Sequence, residues 1–221
     1  DYDLKGMTPE EFPALPELDE QNAVTIPSEL FKTIIQTTSF AISSDELKPA
    51  LTGVLFQFKD GGLTTVATDG HRLARYHIKE FEATGFSGDI IIPRKFLSLS
   101  KNLLGKKETV EMQIGKNHIT VTFGDDKVHS RIIDERYPDY ESVIPTNNDK
   151  TLTINTQEII STVRRVSIFS NRTTQQIAIK MDKEALEITT EDPEKARRAK
   201  EKINGEYSGE PIVIGYNALY L

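Results

Sequence analysis

The sequence predicts an α+β fold made of tandem copies of one domain, in which helices pack on antiparallel sheets. Three observations lead there. Short β-prone runs recur at an interval of about 125 residues. Two stretches within one interval carry apolar residues at helical spacing. Gly and Asp pairs separate the remaining runs, as hairpin turns require. The recurrence is read directly: Val24-Thr25-Ile26-Pro27-Ser28-Glu29 matches Leu152-Thr153-Ile154-Asn155-Thr156-Gln157, 128 residues later. Val54–Phe58 matches Ile177–Met181, and Leu63-Thr64-Thr65 matches Leu186-Glu187-Ile188, both at 123. Asp69 falls on Asp192, and Ile90-Ile91-Ile92 on Ile212-Val213-Ile214 at 122. Phe12-Pro13 and Pro16 echo Tyr137-Pro138 and Pro145. Residues 1–22 therefore read as the tail of one copy, 23–148 as a whole copy and 149–221 as the first part of a third. A unit of this size is a domain rather than a solenoid repeat.

Within the whole copy, residues 27–42 place Phe31, Ile34, Ile35, Thr38 and Ile42 on one helical face. Pro27 suits a helix start, where an amide proton has no partner to lose. Residues 53–58 and 63–68 form a hairpin about Lys59-Asp60-Gly61-Gly62. Residues 72–79 and 88–92 read as two further strands. Pro93 opens a second helix that Gly105 ends. Strands at 108–114, 118–123 and 127–133 follow, joined by Gly115-Lys116-Asn117 and Gly124-Asp125-Asp126. The tally is two helices and about eight strands. In the third copy, residues 193–203 have helical propensity, yet the repeat aligns them with the strand-like Gly70–Glu80. The repeat decides, so a strand is expected there.

Composition narrows the function. The 221 residues carry 34 acids against 27 bases, a formal charge of −7, which opposes a generally basic nucleic-acid or membrane-surface protein. Absence of cysteine removes disulfides, thiol nucleophiles and Cys-ligated zinc. No apolar run approaches the roughly 20 residues of a membrane span, and no signal-peptide pattern opens the chain. A soluble cytoplasmic protein is expected, with no membrane partner.

Charge is nevertheless distributed unevenly. Wound as a helix, residues 94–105 put Arg94, Lys95, Ser98, Lys101 and Asn102 in one arc of about 120°. Phe96, Leu99, Leu103 and Leu104 are expected opposite, and no acid occurs from Pro93 to Lys107. On 156–170, Ile159, Val163 and Val166 form the expected buried stripe; Gln157, Ser161 and Arg164 point away, flanked by Arg165. Helix 27–42 turns Lys32, Thr33 and Gln36 outward. Such faces are either plain solvated surfaces or a sequence-blind track for phosphates.

One motif is sharp: Thr68-Asp69-Gly70-His71-Arg72-Leu73-Ala74, a strand end, an Asp-Gly turn and a strand start. Its Asp–His pair lacks the company that catalysis needs. No Gly-x-Ser-x-Gly elbow occurs, and His77, His118 and His129 show no ligand spacing. At the repeat position Pro193 and Glu194 replace Gly70 and His71, so the pair is not duplicated.

This heptapeptide resembles the signature of bacterial replicative sliding clamps, the beta subunits of DNA polymerase III. Glu11-Phe12-Pro13, Phe40-Ala41-Ile42-Ser43, Leu51-Thr52-Gly53-Val54, Ile92-Pro93-Arg94-Lys95, Tyr137-Pro138-Asp139-Tyr140 and Ile144-Pro145 are similar to the same family, in the same order. The resemblance implies tandem DNA-clamp domains, of which this chain holds the end of the first, all of the second and about half of the third. It implies a non-catalytic, cofactor-free ring of two subunits around double-stranded DNA, with helices lining the hole. Such a ring tethers the DNA polymerase III alpha subunit and other polymerases and is placed by a clamp loader. On that reading, Lys32, Arg94, Lys95, Lys101, Arg164 and Arg165 face DNA. The family also docks short partner peptides in a pocket, onto which Leu51, Thr68, Gly70, His71, Arg72, Leu73, Pro138 and Val143 map. Ser142 stands where some relatives carry a basic residue. As a fragment, this chain is expected to be monomeric, although the full-length protein would be a homodimer. The alternative is a clamp-fold module that docks peptides without encircling DNA.

Overall fold

A computed structural model describes residues 2–9, 22–59, 61–81, 85–105, 108–183 and 185–221. The Glu11-Phe12-Pro13 motif, Pro16, Asp60 and Lys107 lie outside the described residues. The chain divides into two compact units, Asp1–Tyr140 and Glu141–Leu221. The sequence boundary was expected after residue 148.

In the first unit, β1 (Ala23–Pro27) leads into α1 (Ser28–Thr38). Next come β2 (Gly53–Lys59), β3 (Gly62–Thr68), β4 (Leu73–Ile78) and β5 (Gly88–Pro93). Then α2 (Arg94–Leu103) precedes the meander β6 (Thr109–Ile114), β7 (His118–Phe123) and β8 (Asp126–Arg131). The strands form two four-stranded antiparallel sheets, ordered β1-β6-β7-β8 and β4-β3-β2-β5. On α1, Phe31, Ile34, Ile35 and Thr38 are buried, as one stripe of a 3.6-residue period dictates. Phe31, Ile34 and Ile35 join Phe56, Phe58, Ile92, Met112 and Phe123 in a single core. Gly124 (φ +66°) closes the β7–β8 turn, and Gly105 (φ +50°) ends the α2 segment; both lie where a Cβ is strained.

The inward face of α2 agrees with expectation except at Leu99. Phe96, Leu97 and Ser100 are buried while Leu99 is 49% exposed. Phe96 and Leu104 of the predicted stripe are buried and Leu103 is half-buried, but the inward face extends to Leu97 and Ser100 instead of Leu99, where α2 packs against α1, β5 and β8. Arg94, Lys95, Ser98 and Asn102 remain exposed, with Lys101 at the margin.

The second unit runs β9 (Thr151–Ile154), α3 (Thr156–Ser167), β10 (Gln176–Met181), β11 (Leu186–Asp192), β12 (Arg197–Ile203), β13 (Gly205–Ser208) and β14 (Ile212–Asn217). Its main sheet is ordered β12-β11-β10-β14, the same path as β4-β3-β2-β5. β9 pairs with β13. Asn155 caps α3, its Oδ1 accepting from the Glu158 amide at 3.0 Å. Buried Thr162, Val163 and Val166 pack α3 onto the sheet; Ile159 is only half-buried.

The registers test the repeat residue by residue. Phe58 faces Leu63 and Met181 faces Leu186, so both strands of the first hairpin are offset by 123, as read from sequence. The fourth strand is not. Phe58 faces Gly88 whereas Met181 faces Ile212, an offset of 124 rather than 122. The slip of two residues keeps the same side chains on the same face, which is why apolar matching alone could not detect it. Residues 193–203 form a 3-10 turn (Pro193–Lys195) followed by β12. Seven rungs to β11, with Ile203 buried and Lys200 bonded to Glu187 at 2.6 Å, override their helical propensity.

Candidate functional site

The sharp motif is a hairpin end. Thr68 and Leu73 face each other across β3 and β4, and four residues turn between them. Gly70 has φ +88°, a conformation that a side chain would strain. Asp69 holds the turn: Oδ1 accepts from the amides of His71 (2.9 Å) and Arg72 (3.0 Å), and Oδ2 from Arg72 Nε (3.2 Å). Thr68 Oγ1 accepts from the Gly70 amide (3.1 Å) and donates to the Arg72 carbonyl (2.7 Å). Burial pushes the Asp69 carboxyl up, but the His71 and Arg72 amides and the Arg72 guanidinium together pull it below the ordinary carboxylate range. This carboxylate is committed to architecture, with its bonds directed at its own turn.

Arg72 reaches beyond the turn. Its Nη2 donates to the Phe40 carbonyl at 2.7 Å, and its guanidinium carbon stands 5.5 Å from the centroid of the Phe40 ring. Phe40 lies in a 3-10 turn, Ser39–Ala41, that follows α1. Three residues on, the Ser43 amide donates to the Leu51 carbonyl at 2.9 Å. Thus Leu51 and Arg72 are fixed to one short segment. Tyr137 approaches from the chain that leaves β8: its hydroxyl is buried without a well-formed hydrogen bond, beside the Thr68 main chain. Burial outweighs that backbone neighbour and, with Tyr140, pushes the phenol up to about 12. Its neighbour Pro138 is exposed. The first unit therefore ties Leu51, Thr68, Gly70, His71, Arg72 and Leu73 to one end of the β3–β4 hairpin, and Tyr137 carries Pro138 toward it. All seven are exposed or half-buried, and Leu51, Leu73 and Pro138 give it apolar surface. Val143 belongs to the second unit, where it is 67% exposed in a 3-10 turn.

The cations predicted to face DNA divide into two groups. Arg94 does not point freely outward: its Nη2 donates to the Ile42 carbonyl, bracing the segment after α1. Arg165 is taken by Glu201, through Nε at 3.0 and 3.2 Å and Nη2 at 2.6 Å, and by Thr162 Oγ1 at 2.9 Å. Their hydrogen bonds hold Glu201 below its ordinary value and Arg165 above. Lys32 stands 3.6 Å from Glu29. Lys95, Lys101 and Arg164 make no ion pair among the described residues.

Sequence reasoning missed Phe40 as a platform, Tyr137 as a buried phenol, and both carboxylate partners. Glu29 was legible at i−3 from Lys32. Glu201 was not, since only the β11–β12 pairing brings it under α3.

A family described as DNA polymerase III beta subunit, central domain, matches residues 25–139; a second, DNA polymerase III beta subunit, C-terminal domain, matches residues 141–221. The beta sliding clamp of Salmonella typhimurium is 32% identical over 221 residues, and that of Bacillus subtilis 30% over 224. Both alignments take in 100% of this chain but only 60% and 59% of those proteins, so the chain spans about three-fifths of their length. The crystal structure of the Pseudomonas aeruginosa DNA polymerase III subunit beta superposes with a TM-score of 0.90 at 30% identity, covering 97% of this chain and 59% of that one. The Bartonella birtlesii sliding clamp, crystallised bound to griselimycin, gives 0.91 at 29%, covering 99% and 60%. No described helix is long and apolar enough to cross a membrane. With one fold repeated in two units, and each unit matched in order by a domain of the same protein, this chain belongs to the DNA polymerase III beta subunit family, the bacterial sliding clamps.

Proposed function

We propose that this chain is part of a non-catalytic processivity factor: a ring that encircles duplex DNA and tethers a polymerase to it. The observation that carries the reading is the repeated sheet, β4-β3-β2-β5 packed by α1 and β12-β11-β10-β14 packed by α3, with exposed cations on α2 and α3. Lys95 and Lys101 are point charges and Arg164 a guanidinium fork, all suited to phosphates of any sequence. Weak, salt-sensitive contacts let a ring slide, while closure prevents escape. A clamp loader would open the ring, and two full-length subunits would close it.

The hairpin-end cup formed by Leu51, Thr68, Gly70, His71, Arg72, Leu73 and Pro138 is read as a dock for short peptides of the DNA polymerase III alpha subunit, other polymerases and the loader. Val143, in the second unit, matches a docking position of the family by resemblance alone. An apolar floor with polar groups and an open glycine at its rim suits an extended peptide.

Encirclement is tested on the protein extended to the length of its relatives, by light scattering and by retention on DNA after loading. A dimer held on closed circles at moderate salt, and released when the circle is linearised, is expected. A monomer with equal retention on circles and linear DNA would favour a docking module that does not encircle DNA.

A further inference from the structure

The short segment after α1 touches the cup from behind. Phe40 offers Arg72 both its ring and its carbonyl, Ser43 holds the Leu51 carbonyl, and Ile42 receives Arg94 from the start of α2. We propose that Phe40 and Asp69 are positioning residues of the peptide cup, fixing the Arg72 side chain before a ligand arrives, and that Arg94 fastens their support from α2. The proposal rests on the reading of the cup as a peptide dock.

The physical case starts from the guanidinium. A free arginine side chain samples many rotamers, and a ligand that must freeze it loses affinity. Here the fork is held at opposite ends: Nε by Asp69 Oδ2 and Nη2 by the Phe40 carbonyl. The guanidinium carbon stands over the Phe40 ring, 5.5 Å from its centroid and within cation–π range, although Phe40 is 55% exposed as a residue. Asp69 is the common member: the same carboxylate that sets the Gly70–Arg72 backbone also orients the Arg72 side chain. Its side chain is only 14% exposed and that of Arg72 28%, so the pair is shielded from competing water. Arg94, one segment away, explains why an arginine on a basic helix face looks back into the protein.

Griselimycin serves as the probe, titrated calorimetrically into the chain and its variants. Leu73→Asp should abolish binding by placing a charge on the apolar floor. Phe40→Leu and Asp69→Asn should each weaken binding about five- to tenfold, and Phe40→Tyr, which keeps the ring, should restore it. The Arg72 Nε–H resonance should be sharp in the wild type and Phe40→Tyr, and broadened in Phe40→Leu and Asp69→Asn. Wild-type affinity in Phe40→Leu and Asp69→Asn, with binding lost in Leu73→Asp, overturns the positioning role and leaves the cup intact. Failure of Phe40→Tyr to restore binding overturns it too. Binding that survives Leu73→Asp overturns the cup assignment itself. Should Phe40→Leu fail to fold, Asp69→Asn and the Arg72 resonance decide.

Discussion

Asp69 and His71 show how little a pair of residue types says without its surroundings. The Asp69 carboxylate accepts from His71 and Arg72 within its own turn, and the buried Tyr137 phenol lies beside the Thr68 main chain. Tyr137 carries a measurable consequence. Its folded value is raised to about 12 against an ordinary 10.0, so the neutral phenol is preferred in the folded state. Stability from this group is fully present below pH 10 and is lost as pH rises toward 12, because the unfolded chain releases the proton first. Thermal unfolding followed from pH 9 to 12 should show this loss in the wild type and a shallower slope in Tyr137→Phe. Equal slopes would mean that the hydroxyl is solvated.

At the scale of elements, α2 decides which expectation holds for a helix face. Hydrophobic spacing leaves open whether Leu99 or Leu97 joins Phe96 inside, and packing against α1, β5 and β8 selects Leu97. Leu97→Ala should therefore cost about 2–5 kcal/mol, whereas Leu99→Ala should stay within about 0.5 kcal/mol. Chemical denaturation of the two variants measures both; similar losses would mean that Leu99 is inside as predicted. β12 makes the complementary point. Its sequence favours a helix locally, but an isolated helix of that length is marginal in water, and a neighbouring strand with open hydrogen-bonding groups wins.

For the whole molecule, the proposed DNA track rests on an acidic chain whose Lys95, Lys101 and Arg164 make no ion pair among the described residues. Lys95→Glu with Lys101→Glu should shorten retention on circular DNA and flatten its dependence on salt, because fewer counterions are released. Arg165→Gln should change retention less, since Glu201 already neutralises that guanidinium. A larger effect from Arg165 than from the lysine pair would show that Glu201 lets go when DNA is present. The relatives' length places these measurements on the longer protein.

The sequence by itself determined the α+β class, the tandem repeat, both helices and eight strands of the first unit, and the strand at 197–203. These follow from periodicity, Gly and Pro positions and self-similarity, which are local or one-dimensional properties of the chain. It also singled out the Thr68–Ala74 turn, because an Asp-Gly pair between β-prone runs has few other conformations. Tertiary structure alone decided the two-residue slip of β14, the choice of Leu97 over Leu99 in α2, the pairing of Arg165 with Glu201, and the seat of Arg72 on Phe40. Each of these joins groups between 31 and 41 residues apart or selects between faces that the sequence leaves equivalent. Alternation fixes which side chains share a face, but it is blind to a slip of two. A charge read along one helix likewise cannot show the carboxylate that a folded sheet brings beneath it.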